Sequence, residues 1–122
     1  MKLPPADASP EAQEAGIGRR LLDKAFQGDL EATSKGEMLA FRTSTEGSAG
    51  YVALERITGT LGGKRGSFVM QHFGMMDRGT QRLVVEVVPD SADGELVGLR
   101  GTLAIAIAPG GAHSYDFEYE LP

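Results

Sequence analysis

Apolar and polar residues alternate along most of the chain after residue 18, with the period of two that is typical of half-buried β-strands. Turn sequences separate the alternating stretches: "GD", "TSTEGS", "GGKR", "DRG", "PDSADG" and "PGG". The short links favour antiparallel hairpins. The pattern predicts seven strands: Arg19–Gln27, Leu30–Arg42, Ala49–Leu61, Gly66–Met76, Gln81–Val88, Thr102–Ala108 and Ala112–Leu121.

Seven short strands of this kind predict an all-β fold. We expect a small, closed or nearly closed antiparallel β-barrel of seven to eight strands over residues 18–122, preceded by an arm or short helix over residues 1–17. The stretch "SPEAQEA" favours the helix, because Ser9 can cap it and Pro10 suits its first turn. An eighth, very short strand could come from Lys2 and Leu3.

The turn "GGKR" determines how the two strands around it align. Pairing Leu61 with Gly66 places Glu55 directly opposite His72, on the face with fewer polar groups, which we expect to lie inside. A slip of one residue would pair Glu55 with Gln71 instead and turn one strand inside out.

Two later hairpins extend the same inner face. Around "DRG" we expect Asp77 to pair with Thr80, and around "PGG" we expect Ile107 to pair with His113. His113 would then lie nearest a mouth of the barrel. The inner residues of these strands would be Leu83, Val85, Val87, His113, Tyr115, Phe117 and Tyr119.

Glu55 and His72 are the sharpest candidates for chemistry. Directly opposed residues of an antiparallel pair have Cβ atoms about 4.5–5.5 Å apart, close enough for a carboxylate–imidazole hydrogen bond. Burial and pairing would shift both pKa values, which suits proton transfer near neutral pH. The alternative is a structural pair that satisfies its own polar groups and fixes the register.

The other inner residues could line a pocket for a small molecule. Gly59, Gly74 and Ala53 among them favour some free volume, although a narrow barrel can also fill with side chains. Tyr115 is the tyrosine best suited to offer its hydroxyl to a guest. The predicted lining is Tyr51, Ile57, Phe68, Met70, Met76, Leu83, Val85, Ile105, Tyr115 and Phe117.

The outer face carries an apolar patch. Monomers seldom leave a large apolar patch exposed, so we predict a homodimer, with cover by the N-terminal arm as the alternative. The residues of the patch would be Val52, Leu54, Val69, Phe73, Met75, Val84 and Val88.

Composition excludes several classes of function. The 122 residues contain no cysteine, which removes disulfides, thiol catalysis and thiolate metal sites. A net charge of -5 and scattered basic residues argue against nucleic-acid binding. Neither a long apolar run nor a signal-peptide pattern is present, so we expect a cytoplasmic protein of bacterial type that binds no membrane. We expect no cofactor, and no metal either, because no local spacing supports a site built from His72, His113 and Glu55.

Four segments carry a resemblance to a known family: "GDLEATSKGEML", "GSAGYVALERITGTLGGKRGSFVMQHFGMMDRG", "VVPDSADGELVGLRGTLAI" and "HSYDFEYELP". From Gly28 to Pro122 the chain resembles bacterial domain-of-unknown-function family 3224. The resemblance implies an eight-stranded antiparallel barrel like that of allene oxide cyclase, in a superfamily whose members bind apolar molecules inside the barrel and in some cases guide cyclisations. The chain departs from the family's pattern in its short strand before Pro4 and at Phe73 and Met75.

Three hypotheses about function follow. The preferred one is an internal pocket that binds a small, mostly apolar molecule. The second is an isomerase or cyclase in which Glu55 moves a proton, His72 orients it and a tyrosine steadies developing negative charge. The third is a structural or partner-binding barrel with a filled core.

Overall fold

The structure is a computed structural model that describes residues 5–107 and 113–122. Within those residues, no helix has the length and apolar character needed to cross a membrane. One short 3₁₀ helix spans Gly94–Leu96. The other elements are β1 Pro5–Ala6, α1 Pro10–Glu14, β2 Gly18–Phe26, β3 Leu30–Arg42, β4 Ala49–Leu61, β5 Lys64–Asp77, β6 Thr80–Val87, β7 Arg100–Ile107 and β8 His113–Glu120.

All eight strands belong to one antiparallel sheet whose order follows the chain from β1 to β8. The seven predicted strands are confirmed, and β3 and β4 have the predicted bounds. The predicted cap of α1 is also confirmed, because the Ser9 hydroxyl accepts a hydrogen bond from the backbone N–H of Ala12 at 3.2 Å. The strand expected at Lys2 and Leu3 lies outside the described residues, whose first strand is the short β1.

The predicted closed barrel is not confirmed, because in the described residues no ladder joins the two ends of the sheet. The sheet curls enough for side chains near its ends to meet: the ring centroids of Phe26 on β2 and Tyr115 on β8 are 5.6 Å apart. Between β6 and β7 the described ladder is a single residue pair, Glu86 with Thr102. We call this junction the β6–β7 seam; a single described residue pair joins its two strands.

The turn between β4 and β5 is tighter than predicted. Gly62 and Gly63 form a two-residue turn with φ angles of 57° and 82°. This left-handed backbone matches the twist of the flanking strands and costs glycine little. Leu61 consequently pairs with Lys64, and the predicted pairing with Gly66 is wrong.

The corrected register moves every partner across β4 and β5 by two residues. Glu55 lies opposite Met70 and His72 lies opposite Ala53, so the prediction that Glu55 faces His72 directly is wrong. Because the shift is an even number of residues, the inner and outer faces keep their predicted residues. Glu55 and His72 are diagonal neighbours on the inner face, within reach of each other's side chains.

The two later hairpins have the predicted registers. Asp77 pairs with Thr80, and Ile107 pairs with His113. The His113 side chain, which was expected at a mouth, lies outside the described part of the chain. On β6, Val85 and Val87 are buried and Leu83 is half-buried, as the inner-face prediction requires.

The segment between β6 and β7 fills the end of the inner face that lies near the Gly62–Gly63 turn. Its Leu96 and Leu99 are each 1% exposed and join the main hydrophobic core. Backbone hydrogen bonds hold the segment against β5, including one of 2.9 Å from the N–H of Asp93 to the carbonyl of Ser67. Each buried leucine contributes about 1.5–3 kcal/mol relative to an exposed one. This end of the interior is therefore a packed core.

The outer face carries apolar side chains in one straight row across β3, β4, β5 and β6. The row is formed by four exposed residues in register, Leu39, Val52, Phe73 and Val84. Leu54 and Met75 beside the row are also exposed, as predicted. Val69 and Val88 are half-buried instead, because the chain that follows β6 lies alongside that part of β5. The homodimer inferred from this face stays a prediction.

A close approach of β3 and β4 explains one glycine. A Cβ added to Gly36 would stand 2.1 Å from the carbonyl oxygen of Leu54 and 2.6 Å from the Cα of Glu55. We expect Gly36→Ala to lower the free energy of unfolding by about 1–3 kcal/mol in urea denaturation, because the strands must move apart. Gly18→Ala is the matched control, since its Cβ would meet only the Ala40 carbonyl oxygen, at 3.9 Å. Equal stability of the two variants would contradict this account.

Candidate functional site

Four buried polar side chains meet on the inner face around one carboxylate. Glu55 Oε1 lies 2.6 Å from His72 Nε2 and 3.3 Å from Lys24 Nζ. The Ser34 hydroxyl donates a hydrogen bond to Glu55 Oε2 at 2.8 Å. We call these residues the Glu55 cluster; their exposed fractions are 2% for Glu55, 4% for His72, 8% for Lys24 and 1% for Ser34. Both carboxylate oxygens have partners, and within the described residues no buried side-chain polar atom lacks one.

The register of four neighbouring strands builds the Glu55 cluster. Ser34 on β3 pairs with Lys24 on β2 on one side and with Ile57 on β4 on the other. Glu55 stands two residues from Ile57, on the same face of β4. His72 reaches Glu55 diagonally from β5. The sequence-based prediction that Glu55 and His72 share the inner face is therefore confirmed, with a different alignment.

Sequence reasoning missed Lys24 and Ser34. Lys24 alternates with Leu22 and Phe26 along β2, so the period of two already places it on a buried face. A lysine is normally assigned to solvent, and this expectation hides the signal. One pattern in the sequence could have revealed Lys24: it is a single basic residue among inward-facing apolar residues of its strand, and Glu55 is a single acidic residue on the inner face of β4.

The cluster keeps Glu55 charged. Burial alone would raise the pKa of the Glu55 carboxyl, because a low-dielectric interior disfavours the ionised form. The hydrogen bond with His72, the positive charge of Lys24 and the hydrogen bond from Ser34 outweigh burial and hold this pKa below its ordinary value. At neutral pH the group is a carboxylate, which can accept a proton but has none to donate.

The described residues contain no group of three or more His, Asp and Glu side chains placed to hold a metal ion. Glu55 and His72 instead take Lys24 and Ser34 as their polar partners. The His113 side chain, which was weighed as a third ligand, falls outside the described part of the chain.

Tyr51 lies on the inner face between the Glu55 cluster and the end of the sheet that the β6–β7 segment leaves open. Its ring lies against Gly74, where an added Cβ would be 2.1 Å from Tyr51 Cε1. The ring centroids of Tyr51 and His72 are 6.4 Å apart. Burial, and then the negative charge of Glu55, raise the pKa of the Tyr51 phenol. The hydroxyl therefore stays protonated at neutral pH and can donate a hydrogen bond.

Beyond Tyr51, the inner face borders a recess of about 410 Å³. Strand ends of β2, β3, β4, β5 and β6 form its walls, with several glycines and alanines among them. Neither Glu55 nor His72 belongs to the lining of this recess. Its larger side chains include Arg20, Met38, Phe41, Arg42, Tyr51 and Met76.

Most of the predicted lining belongs to the packed core and not to this recess. Tyr51 and Met76 border the recess, although Met76 is 42% exposed. The core half of the interior corresponds to the filled-core alternative. It contains the fully buried Ile57, Phe68, Met70 and Val85, with Leu83, Ile105 and Phe117 packed half-buried against them.

Tyr115 and Tyr119 lie on the same face of β8 as Phe117, as predicted, but they are 40% and 38% exposed, so the interior does not enclose them. The physical reason is their position on β8, the last strand of the sheet, which has a neighbouring strand on one side only. The interior still affects Tyr115, because burial, and then the negative charge of Glu55, raise the pKa of its phenol.

Replacing the buried carboxylate should cost stability in a pH-dependent way. We expect Glu55→Gln to lower the free energy of unfolding by about 3–5 kcal/mol at neutral pH, because it leaves Lys24 buried without its counter-charge. The folded-state pKa of Glu55 lies below its ordinary value of 4.5, so its ionised form stabilises the fold above pH 4.5. That contribution is lost as the pH falls through the lowered pKa.

Urea denaturation from about pH 7 to about pH 3 would measure both effects. The stability gap between the native protein and Glu55→Gln should narrow on the acid side. Glu37→Gln is the matched control, because Glu37 pairs with Arg19 at the exposed surface. A gap that stays constant over the whole range would show that the charge of Glu55 is not the source of the loss.

Comparison with known proteins identifies the family. The sequence model of a family described as "Protein of unknown function (DUF3224)" matches residues 1–119. A crystal structure of a DUF3224-family protein with unknown function from Shewanella oneidensis MR-1 is 51% identical to this chain, covers 99% of it and 90% of its own length, and superposes with a TM-score of 0.90. No curated protein matches. The likeness to the allene oxide cyclase barrel stays a prediction, whereas the match over nearly the whole length shows that the chain belongs to the DUF3224 family.

Proposed function

We propose that the protein binds a small, mostly apolar molecule in the recess beside Tyr51. The observation that supports this proposal is the contrast between the two ends of the inner face. Leu96 and Leu99 are buried in the core at one end, whereas the other end borders about 410 Å³ of free volume. Ligand pockets of proteins typically measure about 300–1,000 Å³, so a small organic molecule fits.

The side chains around the recess suit a loosely specified guest. Met38 and Met76 are flexible and polarisable, so they can adapt to different apolar shapes. Tyr51 adds a rigid aromatic surface and a neutral hydroxyl donor. In this proposal the Glu55 cluster lies beneath Tyr51 and holds its ring in position, and it does not contact the ligand.

We also propose that the curled sheet acts as a nearly closed barrel around this interior. Two side-chain approaches support it. Tyr115 on β8 lies 5.6 Å from Phe26 on β2 by ring centroids, and an added Cβ on Gly62 would lie 3.3 Å from the Tyr119 hydroxyl. The last strand thus leans over the first long strand and over the Gly62–Gly63 turn.

Binding can be tested with the neutral probe 2-naphthamide, followed by NMR of the backbone amides. We expect the signals of Gly50 and Gly74, which border the recess, to shift on titration. Ala40→Leu should weaken binding by roughly tenfold, a loss of about 1.4 kcal/mol, because the larger side chain occupies the recess. Ala25→Leu, at an exposed position of β2, is the control. No shift at the recess with the native protein would refute the proposal.

Proton-transfer catalysis is the second candidate, and one observation favours it. Tyr51 borders the recess and its ring lies 6.4 Å from that of His72, which places the recess near the Glu55–His72 pair. The ionised Glu55 would be the base, and His72 would orient it. The enclosed position of Glu55 and its three polar partners favour binding over catalysis.

Mass spectrometry of a ligand incubated with the protein separates these two functions. The binding proposal expects the molecule to be recovered unchanged from both the native protein and Glu55→Gln. Catalysis requires a changed product with the native protein and a loss of that product in the folded Glu55→Gln variant.

A further inference from the structure

We propose that the molecule bound in the recess is an organic anion, with a carboxylate held by Arg20 and Arg42 and an apolar body directed towards Tyr51. This inference rests on the binding function proposed above and adds the chemical class of the ligand. The two arginines are the charged residues of the recess lining, and that lining contains no aspartate or glutamate.

The strand registers place the two arginines on either side of Tyr51. Arg20 shares an inner-face row with Met38, Arg42 shares one with Ala49, and the row of Tyr51 runs between them. Successive rows on one face are about 6.6 Å apart, so extended arginine side chains from both rows can reach a group above Tyr51. One carboxylate could therefore be approached from two sides.

Both guanidinium groups are available to a ligand. The ion pairs formed by described residues are Arg19 with Glu37, Lys24 with Glu55, and His72 with Glu55, so neither recess arginine is engaged in one. All 17 acidic residues of the chain lie in the described ranges, and residues 1–4 and 108–112 contain none. The positive charge of Arg20 and Arg42 at the recess is therefore not neutralised by any ion pair among the described residues.

The positive charge at the recess contrasts with the net negative charge of the whole chain. The protein carries a net charge of -5, which repels anions in general. The two arginines, with no acidic residue beside them, give the recess lining a positive charge, and guanidinium groups match the planar geometry of a carboxylate. Tyr51 can add a neutral hydrogen bond, since its raised pKa keeps the hydroxyl protonated. A molecule with an acid group and an apolar ring or chain satisfies all of these features.

The test compares 2-naphthoate with 2-naphthamide, which differ in charge but share the same ring. NMR titrations of the recess amides would give both dissociation constants. We expect the naphthoate to bind roughly three- to tenfold more tightly, and the preference to shrink as ionic strength is raised from about 0.02 M to about 0.3 M. Arg20→Gln and Arg42→Gln should each reduce the preference, and the double variant should abolish it.

Arg82→Gln is the matched control, because it removes the same charge from the outer face, where Arg82 lies over the Phe73 ring. It should leave the preference unchanged. Equal binding of the two probes to the native protein, or a preference that survives the double variant, would overturn the anion assignment while leaving the binding function intact. If neither probe shifts the recess amides, the proposed function itself fails. Because the ionic-strength series uses the native protein, it tests the assignment even where a variant does not fold.

Discussion

A carboxylate buried at 2% exposure is the constraint on which the rest of this structure depends. A charge in that position is tolerated only when donors surround it, and Glu55 receives them from three different strands, through Lys24 on β2, Ser34 on β3 and His72 on β5. Each donor reaches Glu55 in one alignment of its strand. The polar cluster therefore links the registers of β2, β3, β4 and β5 in a way that apolar packing alone would not, since a slide by two residues keeps every apolar face but separates the charges.

The interior is divided by this cluster into two parts with different properties. On the side of the Gly62–Gly63 turn, the chain after β6 inserts Leu96 and Leu99, and the packing is that of an ordinary protein core. On the other side, the strands end in glycine, alanine, methionine and arginine, and they leave a recess that has Tyr51 at its base. The packed core and the recess thus lie towards opposite ends of the strands. The recess therefore lies next to residues held by the ionic and hydrogen-bonded contacts of the Glu55 cluster.

Much of this fold follows from the sequence, because a period of two is a strong signal in an antiparallel sheet. It predicted the seven long strands, the hairpins Asp77–Thr80 and Ile107–His113, and the shared face of Glu55 and His72. The β4–β5 register was wrong because "GGKR" permits turns of two or four residues, which alternation cannot distinguish. Lys24 was missed because a lysine is normally assigned to the solvent-exposed surface. The burial of Leu96 and Leu99 was missed because they follow a stretch rich in turn residues. Whether the sheet closes depends on contacts between distant strands, which local patterns do not encode.

The β6–β7 seam has a consequence for how the molecule comes apart. A ladder reduced to the one described pair Glu86–Thr102 transmits little backbone cooperativity, so β7 and β8 form a unit attached to the remaining sheet mainly by side chains such as Leu103 in the core. Partial unfolding of that unit would expose the edge of β6 and the apolar interior while the Glu55 cluster, which lies wholly in β2 to β5, stays assembled. We therefore expect two levels of stability within one small sheet, with the strands that carry the Glu55 cluster unfolding last.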